Sequence, residues 1–223
     1  MNRHQARENM IEQQIRPWDV LDQRVLDVLG DIPREAFLSP QYHDLAYCDS
    51  RLPIGEEQFM LNPNIDARIL QALDLETTDT VLEIGTGSGY LAACLSRLAR
   101  NVETIEILAP LADAARKRFV ELACSNVSSH HQDASEIWDA ADEYDAIAFT
   151  GSVEKLPEYY KQKMAVGGRL FAVVGGPDQP TQTAMLYQRM SESEWIADSL
   201  FETKVPALEN FSQPSSTDNS FVF

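Results

Sequence analysis

The sequence predicts an α/β protein with a doubly wound, mostly parallel sheet of about seven strands. An N-terminal helical cap and a C-terminal antiparallel strand pair are expected to flank this sheet. From residue 80 onward, short apolar runs typical of strands alternate with helical segments, the order that produces a parallel sheet covered by helices. Before residue 79, apolar residues recur at helical spacing, and after residue 183 two strand-like runs flank a polar turn.

The N-terminal third is predicted to be helical, with loops. Apolar residues between 6 and 15 predict a helix that ends at Arg16-Pro17, and a second short helix follows Asp22. The proline-containing segment 33–55 predicts loops and short turns. Asn62-Pro63 is typical of a helix start, with proline in the first helical position.

The remainder is predicted to hold five parallel strands, three helices and the C-terminal pair. The predicted strands are residues 81–84, 102–106, 127–132, 146–149, 170–174, 184–189 and 195–205, and the predicted helices are 90–99, 111–123 and 156–164. We expect a single domain: a cap at 1–78, a core at 79–208 and a mobile or extended polar tail at 209–223.

Composition narrows the possible partners. The formal net charge of −17 over 223 residues argues against nucleic acid and against anionic membranes, because both bind through clustered Lys and Arg. The three dispersed cysteines and the absence of a long apolar run predict a reducing, cytoplasmic setting with neither disulfides nor a membrane span. We find no metal-ligand spacing and expect no metal.

Three groups that bind nucleotide-like ligands follow the first three predicted core strands. The glycines of Gly85-x-Gly87-x-Gly89 permit a tight turn and a close approach of the backbone to a ligand. Glu106 lies 21 positions after Gly85 (106 − 85), the spacing at which a carboxylate accepts hydrogen bonds from ribose hydroxyls. Asp133 ends the third strand and can accept from an adenine amine. In a Rossmann-like sheet all three meet at one edge.

Two other interpretations compete with a cationic methyl donor. A dinucleotide would favour G-x-G-x-x-G, but Tyr90 occupies the last position of that motif. Glu83, two residues before Gly85, would repel a pyrophosphate, whereas it can help to hold a cationic amino group. The third interpretation is an ordinary strand-to-helix turn beside surface acids.

The chain resembles the class I methyltransferases, and within them the protein-L-isoaspartate O-methyltransferase family. The resemblance lies in residues 10–15, 25–26, 32–37, 45–47, 52–55, Gln58, Pro63, 81–90, 144–147, 166–170 and 205–206. It implies S-adenosyl-L-methionine as cofactor. The donor residues it implies are Glu83, Gly85, Thr86, Gly87, Ser88, Gly89, Glu106, Ile107, Asp133 and Ala134.

The resemblance also implies that the loop from Gly55 to Pro63 lines the acceptor pocket. Here the chain departs from the family, because the active-site serine of the family falls on Leu61 and a family glycine falls on Glu57. Gln58 and Thr150, together with the Leu61 position, are the candidate catalytic residues.

The acceptor therefore stays open, as does the oligomeric state. An isoaspartyl carboxylate on a protein or peptide is ionised at neutral pH and needs no general base. A small-molecule O- or N-acceptor is favoured by the apolar run 59–61, and His43 or Asp49 would be the nearest bases in sequence. A third possibility is a protein that binds the donor without turnover.

Overall fold

A computed structural model describes residues 2–136, 138 and 143–211. The α-helices are α1 (Arg3–Met10), α2 (Gln23–Asp31), α3 (Pro63–Leu73), α4 (Tyr90–Leu98), α5 (Ala109–Glu121) and α6 (Glu158–Gln162). The strands are β1 (Leu52–Gly55), β2 (Gln58–Met60), β3 (Thr80–Ile84), β4 (Asn101–Glu106), β5 (Val127–His131), β6 (Tyr144–Val153), β7 (Met164–Val174), β8 (Gln182–Ser191) and β9 (Glu194–Thr203).

The main sheet confirms the predicted fold class. Its seven strands have the order β5-β4-β3-β6-β7-β8-β9. Strands β3 to β7 pair in parallel, whereas β8 and β9 add an antiparallel pair at one edge. The chain moves outward from β3 to β5 and then returns to place β6 on the other side of β3. This reversal opens a crevice at the carboxyl ends of β3 and β6, where ligands bind in doubly wound sheets.

The N-terminal helices pack against the sheet through a shared core. Leu29 of α2 and Leu70 of α3 are fully buried and belong to the same apolar cluster as Phe171 of β7. Each such leucine contributes about 1.5–3 kcal/mol when it leaves water. The start of α2 is capped as its sequence predicts, since the Asp22 carboxylate accepts the Arg24 N–H at 2.8 Å.

Several local features differ from the sequence prediction, including a shorter α6 and a longer β6. The first helix leaves α-geometry after Met10 and continues as a π-helical turn, Ile11–Ile15, and a 3₁₀ turn, Arg16–Trp18. Strands β1 and β2 form a hairpin in a region for which only loops and turns were predicted. Strand β7 begins earlier than predicted because it accommodates Gly167-Gly168 as an irregularity in its pairing with β6.

The polar tail lies mostly outside the described part of the chain. Its first residues, 209–211, are described, and residues 212–223 are not. Within the described residues, no helix is both long enough and apolar enough to cross a membrane.

Candidate active site

A cleft lies at the carboxyl ends of β3, β4, β5 and β6. It gathers nine of the thirteen predicted site residues. These nine are Gln58, Leu61, Gly85, Gly87, Glu106, Ile107, Asp133, Ala134 and Thr150. The main sheet positions seven of them, which lie in β6 or at and just after the ends of β3, β4 and β5, whereas Gln58 and Leu61 belong to the β1–β2 hairpin and the loop that follows it.

The glycine-rich turn is held from several sides. The backbone N–H groups of Gly85 and Thr86 both donate to the Ile105 carbonyl, at 2.9 and 3.2 Å. The Thr150 hydroxyl lies 2.6 Å from the Gly85 carbonyl, to which it donates. Gly85 has φ +93°, and a Cβ there would lie 2.4 Å from the Thr150 Oγ1. Glycine is therefore required by the backbone conformation and by the close approach of β6.

Glu106 connects this turn to the end of β4. One carboxylate oxygen accepts the Gly87 N–H at 2.7 Å and the other accepts the Leu108 N–H at 3.0 Å. The residue is 5% exposed. Burial raises the pKa of Glu106, and these backbone hydrogen bonds counter part of that effect. Each carboxylate oxygen has further acceptor capacity for a hydroxyl pair of a ligand.

Asp133 lines the cleft just after β5, the strand that pairs with β4. Its two carboxylate oxygens accept the Ser135 N–H at 2.8 Å and the Asn210 side-chain amide at 2.6 Å. Burial acts to raise its pKa, but these hydrogen bonds prevail, and the pKa of Asp133 lies below its ordinary value. Next to it, the Ala134 carbonyl accepts the Tyr160 hydroxyl at 2.5 Å. This wall is therefore fixed by contacts with α6 and with the C-terminal segment.

The side of the cleft that is predicted to hold the acceptor is mainly apolar. Leu61 is buried, with 9% exposure, and Phe59 is 44% exposed at the rim. Gln58 lines the cleft and donates to Glu209 at 3.2 Å. The Thr150 hydroxyl already donates to the Ile84 and Gly85 carbonyl oxygens, so its hydrogen is directed at the glycine-rich turn.

A second, smaller cavity adjoins the cleft at the glycine-rich turn. Glu83 lines it and is fully buried. One Glu83 oxygen accepts the Thr104 hydroxyl, while the other has no hydrogen-bond partner among the described residues. The pKa of Glu83 is raised to about 8, chiefly by burial and in smaller part by charge repulsion from Asp66 and Glu106, while the hydrogen bond from Thr104 acts to lower it. Burial likewise raises the pKa of Asp66 to about 6, against the influence of Arg34.

The remaining predicted donor residues lie around this second cavity or away from it. Thr86 and Ser88 line it, and the Thr86 hydroxyl lies 2.5 Å from that of Thr104. Gly89 lines neither cavity; it precedes α4 with φ +87°, and a Cβ there would lie 3.0 Å from Phe119 of α5. Its role is to let the turn pass close to α5.

The two bases suggested by sequence proximity do not line the cleft. A ring nitrogen of His43 lies 3.1 Å from the Leu38 carbonyl. Asp49 accepts the Asn62 side-chain amide at 2.7 Å. Both side chains thus have structural partners within the cap.

The C-terminal segment 206–211 forms a wall of the cleft that the sequence prediction missed. It is tied to β6, because the Ser152 N–H donates to the Pro206 carbonyl at 2.8 Å and the Leu208 N–H donates to the Ser152 carbonyl at 2.9 Å. Phe211 contacts Phe149 edge-to-face, with ring centroids 5.7 Å apart. The sequence signal that could have revealed this wall is the presence of apolar and aromatic residues inside a segment dominated by polar residues.

The cleft carries a negative charge. Among the described residues that line it, three carry carboxylates (Glu106, Asp133 and Glu209) and none is Lys, Arg or His. Such a surface favours a cationic ligand over a phosphate-bearing one. This charge therefore argues against the dinucleotide interpretation.

The fold and the site together define the class of protein. A glycine-rich turn after the first core strand, a carboxylate ending the second and a carboxylate following the third, all at the switch point of this sheet, form a Rossmann-like nucleotide-binding site. The negative charge of the cleft favours the cationic donor of a Rossmann-like methyltransferase over a dinucleotide.

Comparisons with known proteins identify the family. The sequence model of the family Protein-L-isoaspartate(D-aspartate) O-methyltransferase matches residues 5–210. The chain is 42% identical over 208 residues to a protein-L-isoaspartate O-methyltransferase of Rhodopseudomonas palustris strain CGA009, covering 92% of this chain and 95% of that protein. It is 40% identical to protein-L-isoaspartate O-methyltransferase 1 of strain HaA2, covering 89% and 80% respectively. The chain belongs to the protein-L-isoaspartate(D-aspartate) O-methyltransferase family.

A solved structure agrees in fold. A Plasmodium falciparum protein assigned as a protein-L-isoaspartate O-methyltransferase, crystallised with S-adenosyl-L-homocysteine, superposes with a TM-score of 0.79. The match covers 94% of this chain and 99% of that one at 19% identity. The likeness therefore concerns the fold of nearly the whole chain.

Proposed function

We propose that this protein transfers the methyl group of S-adenosyl-L-methionine to the free carboxyl of isoaspartyl residues in peptides or proteins. The observation that carries the proposal is one cleft that brings Gly87, Glu106 and Asp133 together at the carboxyl ends of the central strands. Membership of the family, with relatives of that name at 40–42% identity over most of the chain, supports the same activity.

The residues present fit this donor. The Glu83 oxygen that has no partner among the described residues is a buried acceptor suited to an ammonium group. Glu106 and Asp133 offer carboxylate acceptors to ribose hydroxyls and an adenine amine. The apolar side chains Ile107 and Leu111 line the same cleft and suit the faces of a nucleobase.

The chemistry asks little of the protein beyond alignment. Bound S-adenosyl-L-methionine supplies an electrophilic methyl group on a sulfonium. An isoaspartyl carboxylate is already ionised at neutral pH, so the chain needs no side chain to remove a proton. The contribution of the chain is to hold the acceptor in line with the methyl group, which is the role we assign to Gln58, the 59–61 loop and the Thr150 wall.

A second candidate acceptor is a less polar small molecule. Leu61 and Phe59 line the acceptor side, where the family resemblance implies a serine at the Leu61 position. A carboxylate buried there gains no hydroxyl partner and loses hydration. An apolar O- or N-acceptor would lose less hydration free energy on entering this pocket.

One assay tests the proposed function. The protein is incubated with methyl-labelled S-adenosyl-L-methionine and either of two peptides that differ in a single residue, isoaspartyl in one and aspartyl in the other. We expect base-labile label in the isoaspartyl peptide alone, since a carboxyl methyl ester hydrolyses in base. Binding of S-adenosyl-L-homocysteine without isoaspartyl-dependent labelling would refute the proposed acceptor. Labelling of a compound in a metabolite extract run in parallel would then favour the second candidate.

A further inference from the structure

Arg34 is an unusual residue for the interior of this protein. It begins the 3₁₀ turn Arg34–Phe37, directly after Pro33. It is 0% exposed, and by residue volume it is the largest of the fully buried side chains in the described part of the chain. Burying a guanidinium is costly unless its environment supplies compensating partners. Its contacts therefore indicate what the residue does.

Three contacts compensate part of the cost of burying the guanidinium, whose Nε has no hydrogen-bond partner among the described residues. Its Nη1 donates to the Asp66 carboxylate at 2.5 Å. Its Nη2 donates to the Leu61 carbonyl. The guanidinium carbon lies 4.7 Å from the centroid of the Tyr90 ring, within the range of a cation–π contact.

These contacts join three separate pieces of the site. Leu61 lies between β2 and α3, on the acceptor side of the cleft. Asp66 lies in the first turn of α3, and Tyr90 begins α4 directly after the glycine-rich turn. All three residues line the second cavity, beside Glu83. Arg34 thus contacts both the acceptor loop and the start of the helix that follows the donor turn.

We propose that Arg34 is a positioning residue for methyl transfer, which sets the distance between the acceptor loop and the donor turn by holding the Leu61 carbonyl. The inference rests on the proposed function, since it assigns the two sides of the cleft to donor and acceptor. The planar guanidinium engages a carboxylate, a carbonyl and a ring face at the same time. A lysine ammonium lacks this fork and cannot reproduce the geometry.

The test compares two equally conservative substitutions at buried arginines. Arg34→Lys changes the proposed positioning residue. Arg189→Lys is the matched control, because Arg189 is 6% exposed and its guanidinium donates to Glu143 at 2.9 Å and to the Met164 carbonyl at 2.5 Å, outside both cavities. Four quantities are measured for each: the melting temperature, the affinity for S-adenosyl-L-homocysteine, kcat and KM on an isoaspartyl peptide, and hydrogen exchange of amides 58–62.

The expected result separates positioning from folding. Arg34→Lys should lower kcat by about 100-fold, because a displacement of about 1 Å in a reacting group has that effect. Affinity for S-adenosyl-L-homocysteine should change by less than about threefold, since its proposed nucleoside acceptors end β4 and follow β5, and since lysine keeps the positive charge beside Asp66 and Glu83. Amides 58–62 should exchange faster. Arg189→Lys should show none of these changes, even if its melting temperature falls equally. Unchanged kcat and exchange in Arg34→Lys would overturn the inference.

A second variant covers the case in which Arg34→Lys does not fold. Arg34→Met with Asp66→Asn removes both charges of the pair together, a replacement that proteins often tolerate. The Leu61 carbonyl still loses its donor, so amides 58–62 should exchange faster than in the wild type. Exchange as slow as in the wild type would reject the role of Arg34. If the wild type itself fails to methylate the isoaspartyl peptide, the proposed function fails, and the exchange data still decide on Arg34.

Discussion

The carboxylate of Glu106 accepts a 2.7 Å hydrogen bond from the backbone N–H of Gly87. This bond links the end of β4 to the glycine-rich turn that follows β3. A residue predicted to bind a ligand therefore also shapes the loop beside that ligand. Both functions depend on the same two oxygens, of which the second accepts the Leu108 N–H.

Replacement of Glu106 should weaken donor binding. In Glu106→Ala, the ligand hydroxyls lose their acceptor and the Gly87 N–H loses its partner, so we expect S-adenosyl-L-homocysteine to bind about 1–3 kcal/mol more weakly. Isothermal titration calorimetry measures the difference. Glu106→Gln retains one acceptor oxygen, so its affinity for S-adenosyl-L-homocysteine should lie between that of the wild type and that of Glu106→Ala. Equal affinities for wild type and alanine variant would contradict the assigned donor site.

A side chain at Gly87 should abolish donor binding in a folded protein. Gly87 has φ +51°, and a Cβ would already lie 3.3 Å from Ile54 across the cleft. Gly87→Val therefore adds bulk where the turn lines the cleft. Gly167→Val is the control, because Gly167 has φ +85° with open space around its Cβ position, so it incurs the backbone strain away from the site. Circular dichroism checks folding and calorimetry checks binding. Retained affinity in Gly87→Val would show that the turn does not approach the ligand.

Donor binding should release protons near neutral pH. The raised pKa of Glu83, about 8, leaves this carboxyl largely protonated at pH 7 in the free protein. An ammonium group beside it would stabilise the ionised form, so binding should expel a proton. Calorimetry in two buffers with different ionisation enthalpies detects it as a difference in apparent binding enthalpy. Glu83→Gln should remove the difference, and a wild type without one would exclude this contact.

The same pKa shift predicts how stability depends on pH. The ordinary pKa of a glutamate, 4.5, is raised to about 8 in the folded protein, so between these values the folded state binds more protons than the unfolded state. The free energy of unfolding should therefore fall as pH rises through this window. Urea denaturation at pH 5, 6.5 and 8 measures the slope. In Glu83→Gln, the free energy of unfolding should depend less steeply on pH. An unchanged slope would show that other groups cause the pH dependence.

Much of the fold followed from periodicity, and the candidate donor site from the order of its motifs. Parallel strands separated by helices bring their carboxyl ends to one edge, so Gly85, Glu106 and Asp133 could be placed together without coordinates. The position of the C-terminal wall could not be predicted, because it depends on pairing between residues 206–208 and β6, which are distant in sequence. The β1–β2 hairpin was missed because Glu56 and Glu57 adopt positive φ values of 50° and 58°, where glycine or asparagine is the usual signal.

Buried charge was equally hard to foresee. In the sequence, Asp66 lies one turn into the predicted helix after Pro63, where a carboxylate favours the helix dipole, and this role is at least as consistent with the pattern as contact with a ligand. The structure instead buries it against Arg34, 32 positions away in the chain. No local pattern encodes that pairing, since it arises when the cap folds onto the donor turn.

Leu61→Ser should raise activity on an isoaspartyl peptide. Leu61 lines the cleft and is almost fully buried, so it offers an acceptor carboxylate apolar volume and no donor. A serine hydroxyl at this position can donate to the carboxylate, and a hydrogen bond to a charged group contributes about 1.5–3 kcal/mol. We therefore expect kcat/KM to rise by at least about tenfold, measured as ester formation. Leu61→Ala is the matched control, because it removes the same bulk without adding a hydroxyl. A gain in Leu61→Ser alone assigns the effect to the hydrogen bond, whereas equal gains in both variants assign it to volume. If the wild type already turns over as well as the serine variant, the leucine is neutral for this acceptor, and the apolar small-molecule alternative loses its main support.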